Sequence, residues 1–276
     1  MQKFSYHTHT DFSDGKNTIE EMLEQACLLG WHEIGISDHL IIHKNIMKSP
    51  SWEIRWQNEP HIYNHDFKTV YENFARHVEH IRKVAENYPL KVRIGAEVDF
   101  FPYSQWLDEF ALFREKLPLD YYISGNHYLF LDEKAENIID MKDAEIFPLN
   151  EQEIMIKRHF KTLGQAAESK IFAFIAHLDY VRKVDLFLQN DFREEKQNLA
   201  KILSQSHTAT ELSTKGLRRS NDFYPDRDFL NLLIKNGVQF VISDDAHRIN
   251  ELGYHFDEAE KQLSDFNCRN RWNYQE

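Results

Sequence analysis

One repeated pattern constrains this chain more than any other. Short β-rich runs, each giving out where a polar residue begins, alternate with stretches of helical periodicity from one end to the other. Seven such strands are predicted: Phe4 to His7, Glu33 to Ser37, Val92 to Glu97, Tyr121 to Ser124, Phe172 to Ala176, Thr208 to Leu212 and Gln239 to Ile242. The helix after the first is clearly delimited. Thr18 and Glu21 form a capping box, Ile19, Met22, Leu23, Ala26 and Leu29 make one apolar stripe, and Gly30 is placed to end it. Further helices are predicted near residues 66–87, 105–116, 151–168, 195–205, 226–236 and 256–264. Such alternation implies an α/β fold with a parallel sheet and right-handed crossovers, either open or closed as a barrel.

The strand ends favour a barrel. His7-Thr8-His9, Asp38-His39, Glu97-Val98-Asp99, Asn126-His127, His177-Leu178-Asp179 and Asp244-Asp245-Ala246-His247 all fall where an apolar run gives out, so six of seven strands deliver a donor to the same edge. A closed parallel barrel gathers those edges onto one mouth, whereas an open sheet spreads them too far apart for a shared cluster. The donors are His7, His9, Asp14, His39, Glu97, His127, His177, Asp245 and His247. Nine imidazoles and carboxylates with no thiolate exceed what one ion takes and suit two or three divalent cations of zinc, iron or manganese. Glu97, from the middle of the set, is the expected bridge. Without cations, so many ionisable groups packed together would suffer desolvation and like-charge repulsion.

Taken together, YHTHTDFSDG at 6–15, SDH at 37–39, GAEVDF at 95–100, NHY at 126–128, AHLDYVRK at 176–183, ELSTKGLRR at 211–219 and SDDAH at 243–247 resemble the polymerase and histidinol phosphatase (PHP) superfamily. The resemblance covers nearly the whole chain. It implies a TIM-barrel-like, distorted (β/α)7 barrel, residues 1–276 forming one domain, with a trinuclear site. On that pattern His7, His9, Glu97 and Asp245 hold one ion, Glu97, His127 and His177 a second, and Asp14, His39 and His247 a third; some members have histidine where this chain has Asp14. Asp244 adjoins Asp245, and the family's DxH spacing selects Asp245 with His247. Glu97, Asp245 and His247 are the residues expected to carry catalysis.

Clustered divalent ions activate water and neutralise phosphoryl oxygens, which suits phosphate-ester hydrolysis by direct attack of a metal-bridging hydroxide. A phosphate pocket also needs fixed cations, and two basic runs follow strands five and six. Arg182 and Arg218 are the expected phosphate ligands, with Arg219 beside the latter. The histidinol phosphatase branch of the superfamily, which the same segments most resemble, implies L-histidinol phosphate as substrate and a place in histidine biosynthesis. Asp99, Glu211, His43, Tyr128 and Phe101 are candidates for the rest of that substrate. Asp99 and Asp179 also read as acceptors that orient ligand histidines. A phosphoesterase for another small ester or a phosphodiester, and a non-catalytic metal-stabilised scaffold, are the alternative readings.

Composition narrows the partners. A formal charge of −12 disfavours a nucleic-acid binder held by a broad basic surface. No signal peptide or apolar run of membrane-spanning length is apparent, so a cytoplasmic protein without membrane partner is expected. Cys27 and Cys268 read as free thiols, and His77 and His80 as surface residues on a helix. Residues 43–65 and 128–150 fit the repeat poorly and read as lids, substrate loops or packed excursions.

Overall fold

The computed structural model describes residues 2–50 and 61–274. Its strands are β1 (Glu33–Ile36), β2 (His39–Ile42), β3 (Tyr63–Asn64), β4 (Lys91–Val98), β5 (Tyr121–Ser124), β6 (Tyr128–Phe130), β7 (Ile138–Asp140), β8 (Phe174–Ile175), β9 (Ala209–Ser213) and β10 (Phe240–Ser243). Its α-helices are α1 (Ile19–Leu28), α2 (Phe67–Ala85), α3 (Ser104–Lys116), α4 (Leu149–Glu168), α5 (Asp185–Gln189), α6 (Arg193–Ser206), α7 (Lys215–Ser220), α8 (Arg227–Lys235) and α9 (Phe256–Asp265). The main sheet is parallel and runs β10-β9-β8-β5-β4, after which β4 carries β1 along its first half and β2 along its second. This is an α/β fold in which the sheet curls into a distorted barrel.

Six of the seven predicted strands form ladders. The first, Phe4 to His7, does not: its neighbourhood touches both flanks through single bonds. Gly35 donates to the Ser5 carbonyl at 2.7 Å and Ser37 to that of Thr8 at 2.9 Å, while His9 donates to Ala246 at 2.8 Å. The hydroxyls of Ser37 and Thr8 take further backbone groups on the β1 side, so no continuous ladder forms there. The segment still fills the gap between β1 and β10. It is held there by side chains as much as by backbone.

β1 and β2 are one strand broken at Ser37-Asp38, where the Glu97 amide is shared between the Ser37 and Asp38 carbonyls, each at 3.1 Å. His39 is therefore inside an interrupted strand, not at the end of one. The break is what turns its side chain toward Glu97. Of the excursions, 128–150 contains the antiparallel hairpin β6–β7. His43 packs its Nε2 2.9 Å from the Ala135 carbonyl, and Asn45 donates to that of Glu136 at 2.6 Å, so the two excursions hold each other. Trp52, Trp56 and Pro60 lie outside the described residues.

Tyr6, Tyr121, Ile123, Phe174 and Val241 plug the barrel below its rim. The Tyr121 ring lies over Gly35 and Gly95, where any Cβ would collide with it, and its hydroxyl donates to the Tyr6 carbonyl at 2.8 Å. Trp272, tied to the Phe240 carbonyl at 2.9 Å, packs edge-on to Tyr6 and Phe174 and closes the lower end. Burying side chains of this size contributes about 1.5–3 kcal/mol each. α1 has the predicted capping box, and Gly30, at φ +67°, adopts the left-handed conformation that ends it. Cys27 and Cys268 are both free. Among the described residues no helix is long and apolar enough to cross a membrane.

Candidate metal centre

The rim brings the predicted donors together around Glu97, which β4 presents near its end. Glu97 Oε1 lies 2.8 Å from His177 Nε2, 3.3 Å from His7 Nε2 and 3.7 Å from His127 Nε2. Its Oε2 lies 2.9 Å from His39 Nδ1 and 3.4 Å from His9 Nε2. A second carboxylate, Asp245, places Oδ1 3.2 Å from His9 Nε2, 3.4 Å from His247 Nδ1 and 3.6 Å from His7 Nε2. Asp14 Oδ1 sits 3.0 Å from His247 Nε2 and 3.3 Å from His39 Nε2. Asp244 turns away and accepts from Ser5 Oγ at 2.8 Å and from the Gly253 amide at 2.7 Å.

Among the described residues, four groups have donor atoms that all lie within 4.8 Å of one another: His9, Asp14, His39 and His247; His7, Glu97 and His177; His7, His9 and Asp245; and His39, Glu97 and His127. His7, His9, His39 and Glu97 each belong to two of these, so the groups are neighbours sharing walls. All nine residues fall in at least one.

The donors fit cations by what they lack. His7 Nε2, both ring nitrogens of His9, His39 Nδ1, Glu97 Oε2, Asp14 Oδ1 and Asp245 Oδ1 are buried without a hydrogen-bond partner among the described residues. An unsatisfied buried polar atom costs about 1–3 kcal/mol, and all of these but His9 Nδ1 face other donors across the rim, where cations between them would offset that cost. The local electrostatics carry the same conflict. Burial opposes charge on both His7 and His39, yet the carboxylates around each hold them well above the usual imidazole range. His9, buried beside His247 and His39, is pushed down to about 3, and burial holds His127 well below the ordinary value. Burial also works against the Glu97 charge, but His7, His39 and His127 keep it well below the carboxylate range. Protons satisfy some rings only at the expense of others; divalent ions satisfy all of them.

Two of these donors sit on strained backbone. His177 has φ +24° and Asp245 φ +46°, conformations that cost non-glycine residues on the order of 1–3 kcal/mol. Glu211 Oε1 accepts the His177 amide at 2.9 Å, and Arg218 Nη2 donates to the Asp245 carbonyl at 3.2 Å. Space is equally constrained at Gly125, where a Cβ would overlap the Glu97 carboxylate. Gly125→Ala is accordingly expected to displace Glu97 and lower cation affinity at least about tenfold, with a stability loss of about 1–3 kcal/mol. Zinc titration alongside thermal melts checks this.

Residues 5–215 match the sequence model of the PHP domain family. The chain belongs to that family. A probable histidinol-phosphatase of Deinococcus radiodurans is 25% identical over 269 residues, covering 95% of this chain and 93% of the relative. One from Schizosaccharomyces pombe is 22% identical over 281 residues, covering 94% and 85%. The crystal structure of Lactococcus lactis histidinol phosphate phosphatase, in complex with zinc, L-histidinol and phosphate, superposes with a TM-score of 0.68 at 17% identity, covering 96% of this chain and 94% of that one.

Around the nine donors of this PHP domain lies a layer of buried carboxylates. Asp99 accepts the His127 amide at 2.6 Å and faces its Nδ1 at 2.9 Å, which leaves Nε2 toward Glu97. Asp38, the sequence neighbour of His39, accepts from the Thr10 amide at 2.7 Å, from Ser13 Oγ at 2.5 Å and faces His77 Nε2 at 2.8 Å. It thereby pins the loop that carries Asp14. His77 is thus not a surface residue: it is buried, stacked on Phe12 with ring centroids 3.8 Å apart. His80, half exposed beside Glu20, is. Asp179 does not orient a ligand histidine either, since it pairs with Arg182 Nε at 3.2 Å and accepts the Asp226 amide at 2.8 Å.

The cleft over the PHP centre has Asp14, His39, His127 and His247 in its floor and Tyr63, Tyr128, Tyr180, Asp140, Lys142 and Lys215 in its walls. Lys215 Nζ lies 2.7 Å from Asp245 Oδ2. Arg182 does not line this cleft, because its guanidinium is held by Asp179 and the Phe223 carbonyl over the Tyr224 ring. Arg218 and Arg219 line an adjoining basic cleft with Lys16 and Arg248 that also reaches Asp14 and His247. Neither Lys142 nor Lys215 was singled out from sequence. The signal for Lys215 is present: it opens the basic run two residues past the end of β9.

Proposed function

We propose that this chain is a metal-dependent phosphomonoesterase that hydrolyses L-histidinol phosphate to L-histidinol and phosphate, its nine donors holding two or three divalent cations within one catalytic domain. The observation that carries the reading is the convergence of six imidazoles and three carboxylates, six of which leave buried atoms without a hydrogen-bond partner among the described residues. On this reading His7, His9, Glu97 and Asp245 surround one ion, Glu97, His127 and His177 another, and Asp14, His39 and His247 a third. Cations bound there would supply Lewis acidity toward the phosphoryl oxygens and an activated water.

The chain's own residues do the rest. Glu97 and Asp245 fix the donors in register, and Lys215 and Lys142 present positive charge on the cleft wall where a phosphate dianion would enter. Arg218, in the adjoining cleft, is placed to add to that field. Tyr128, Tyr180 and Asp140 offer aromatic faces and a carboxylate to an imidazole and an ammonium group. The histidinol-phosphatase relatives support the same substrate.

The test is phosphate release from L-histidinol phosphate, p-nitrophenyl phosphate, a phosphodiester and single-stranded DNA, with metal content measured on the same sample. Turnover on L-histidinol phosphate well above the other substrates is expected. Preference for the diester or DNA points to a nuclease-like phosphoesterase instead, and metal-loaded protein inert on all four points to a scaffold.

A further inference from the structure

Six of the seven predicted strands bring a metal donor to the rim; β9 brings none. Its contribution is Glu211, a fully buried carboxylate in the middle of a fully buried strand. Glu211 Oε2 lies 2.8 Å from His7 Nδ1 and accepts from Ser243 Oγ at 2.7 Å, while Oε1 accepts the His177 amide at 2.9 Å. One side chain thus ties together the N-terminal segment, the turn after β8 and the end of β10.

We infer that Glu211 is a positioning residue that sets the His7 ring and the His177 backbone for cation binding, and this rests on the reading of the nine donors as metal ligands. A carboxylate only accepts, so His7 carries its hydrogen on Nδ1 and turns a lone pair on Nε2 toward Glu97 and Asp245. His7 Nε2 is among the atoms without a partner, which is the state a ligand nitrogen needs. The second oxygen holds the His177 amide at φ +24°, the geometry that points His177 Nε2 at Glu97. Glutamine cannot do both. Its single carbonyl oxygen serves one side, and its NH2 then faces a donor on the other. Serine at 243 adds a third donor to the same carboxylate and fixes its rotamer.

The test compares wild type with Glu211→Gln by two readouts that need no substrate. Imidazole nitrogen–proton correlation spectra of the metal-free proteins report the His7 tautomer, and titration against a chromogenic chelator reports zinc affinity. In the folded variant the His7 Nδ1 proton signal is expected to shift or vanish, and the tightest zinc site to weaken about 10–100-fold. A folded Glu211→Gln protein with an unchanged His7 signal and wild-type zinc affinity overturns the inference. Should glutamine prevent folding, Glu211→Asp, which withdraws the carboxylate by one methylene, is read in the same way: weaker zinc binding supports the role, and wild-type affinity overturns it. Wild-type protein that binds no zinc sinks the functional reading itself. Zinc-loaded wild type inactive on L-histidinol phosphate sinks only the substrate.

Discussion

Glu97→Gln is expected to reduce turnover of L-histidinol phosphate by at least about 100-fold and to leave the protein folded but short of metal. Residues that merely support a ligand cost about 10–100-fold when altered, and Glu97 stands one step closer to the chemistry. Its two oxygens approach His7, His127 and His177 on one side and His9 and His39 on the other. It belongs to two of the four donor groups. Glutamine keeps the shape, so the barrel should survive, but it removes one of three negative charges and replaces an acceptor with an NH2 aimed at ring nitrogens. Zinc stoichiometry by elemental analysis and kcat on the same preparation check this. Full metal content with a rate within tenfold of wild type would remove Glu97 from the centre of the site.

The candidate donors were readable in the sequence because convergence on a barrel rim leaves a local mark: an apolar strand that stops at histidine or a carboxylate. His7, His9, Glu97, His127, His177, Asp245 and His247 all carry that mark. His39 carries it for a different reason, since its strand resumes as β2 beyond the break at Ser37-Asp38. The supporting layer left a weaker trace. Asp99 was legible as an acceptor beside a ligand histidine, but Asp38 and Glu211 act through hydrogen bonds to residues far away in the chain, 204 positions away for Glu211 and His7, and no spacing rule reports such pairs. His77 shows the same limit: its exposed-looking place on α2 is decided by Asp38 and Phe12, which come from other elements.

The cations around the cleft were the least legible part. Arg182 and Arg218 follow their strands at similar distances, yet Asp179 and the Phe223 carbonyl capture the first, while the second reaches the carbonyls of Asp244 and Asp245. An arginine binds whichever acceptors the fold offers, and those acceptors come from turns whose course periodicity does not encode. Lys142 reaches the cleft only because the 128–150 excursion folds as a hairpin and a following turn. The short strands β3, β6 and β7 were missed for the same reason, two or three residues being too few to show alternation.

Exhaustive removal of divalent ions is expected to abolish phosphatase activity and lower the melting temperature by roughly 10 °C, both restored by zinc. A ligand present at about 1,000 times its dissociation constant stabilises the folded state by about 4 kcal/mol, and each kcal/mol moves the melting point of a chain this long by about 2–4 °C. The physical source of that loss is visible in the rim. With no cation, the neighbouring carboxylates drive His7 and His39 to hold protons against the opposition of burial, while burial and neighbouring imidazoles drive His9 and His127 to shed them. The strained backbone at His177 and Asp245 then lacks the coordination that would repay it. Scanning calorimetry of chelated, dialysed and zinc-reconstituted protein separates this from a simple loss of turnover. A melting temperature indifferent to chelation, with hydrolysis intact, would mean that the nine side chains are packed for their hydrogen bonds alone, and the buried rim atoms without partners argue against that.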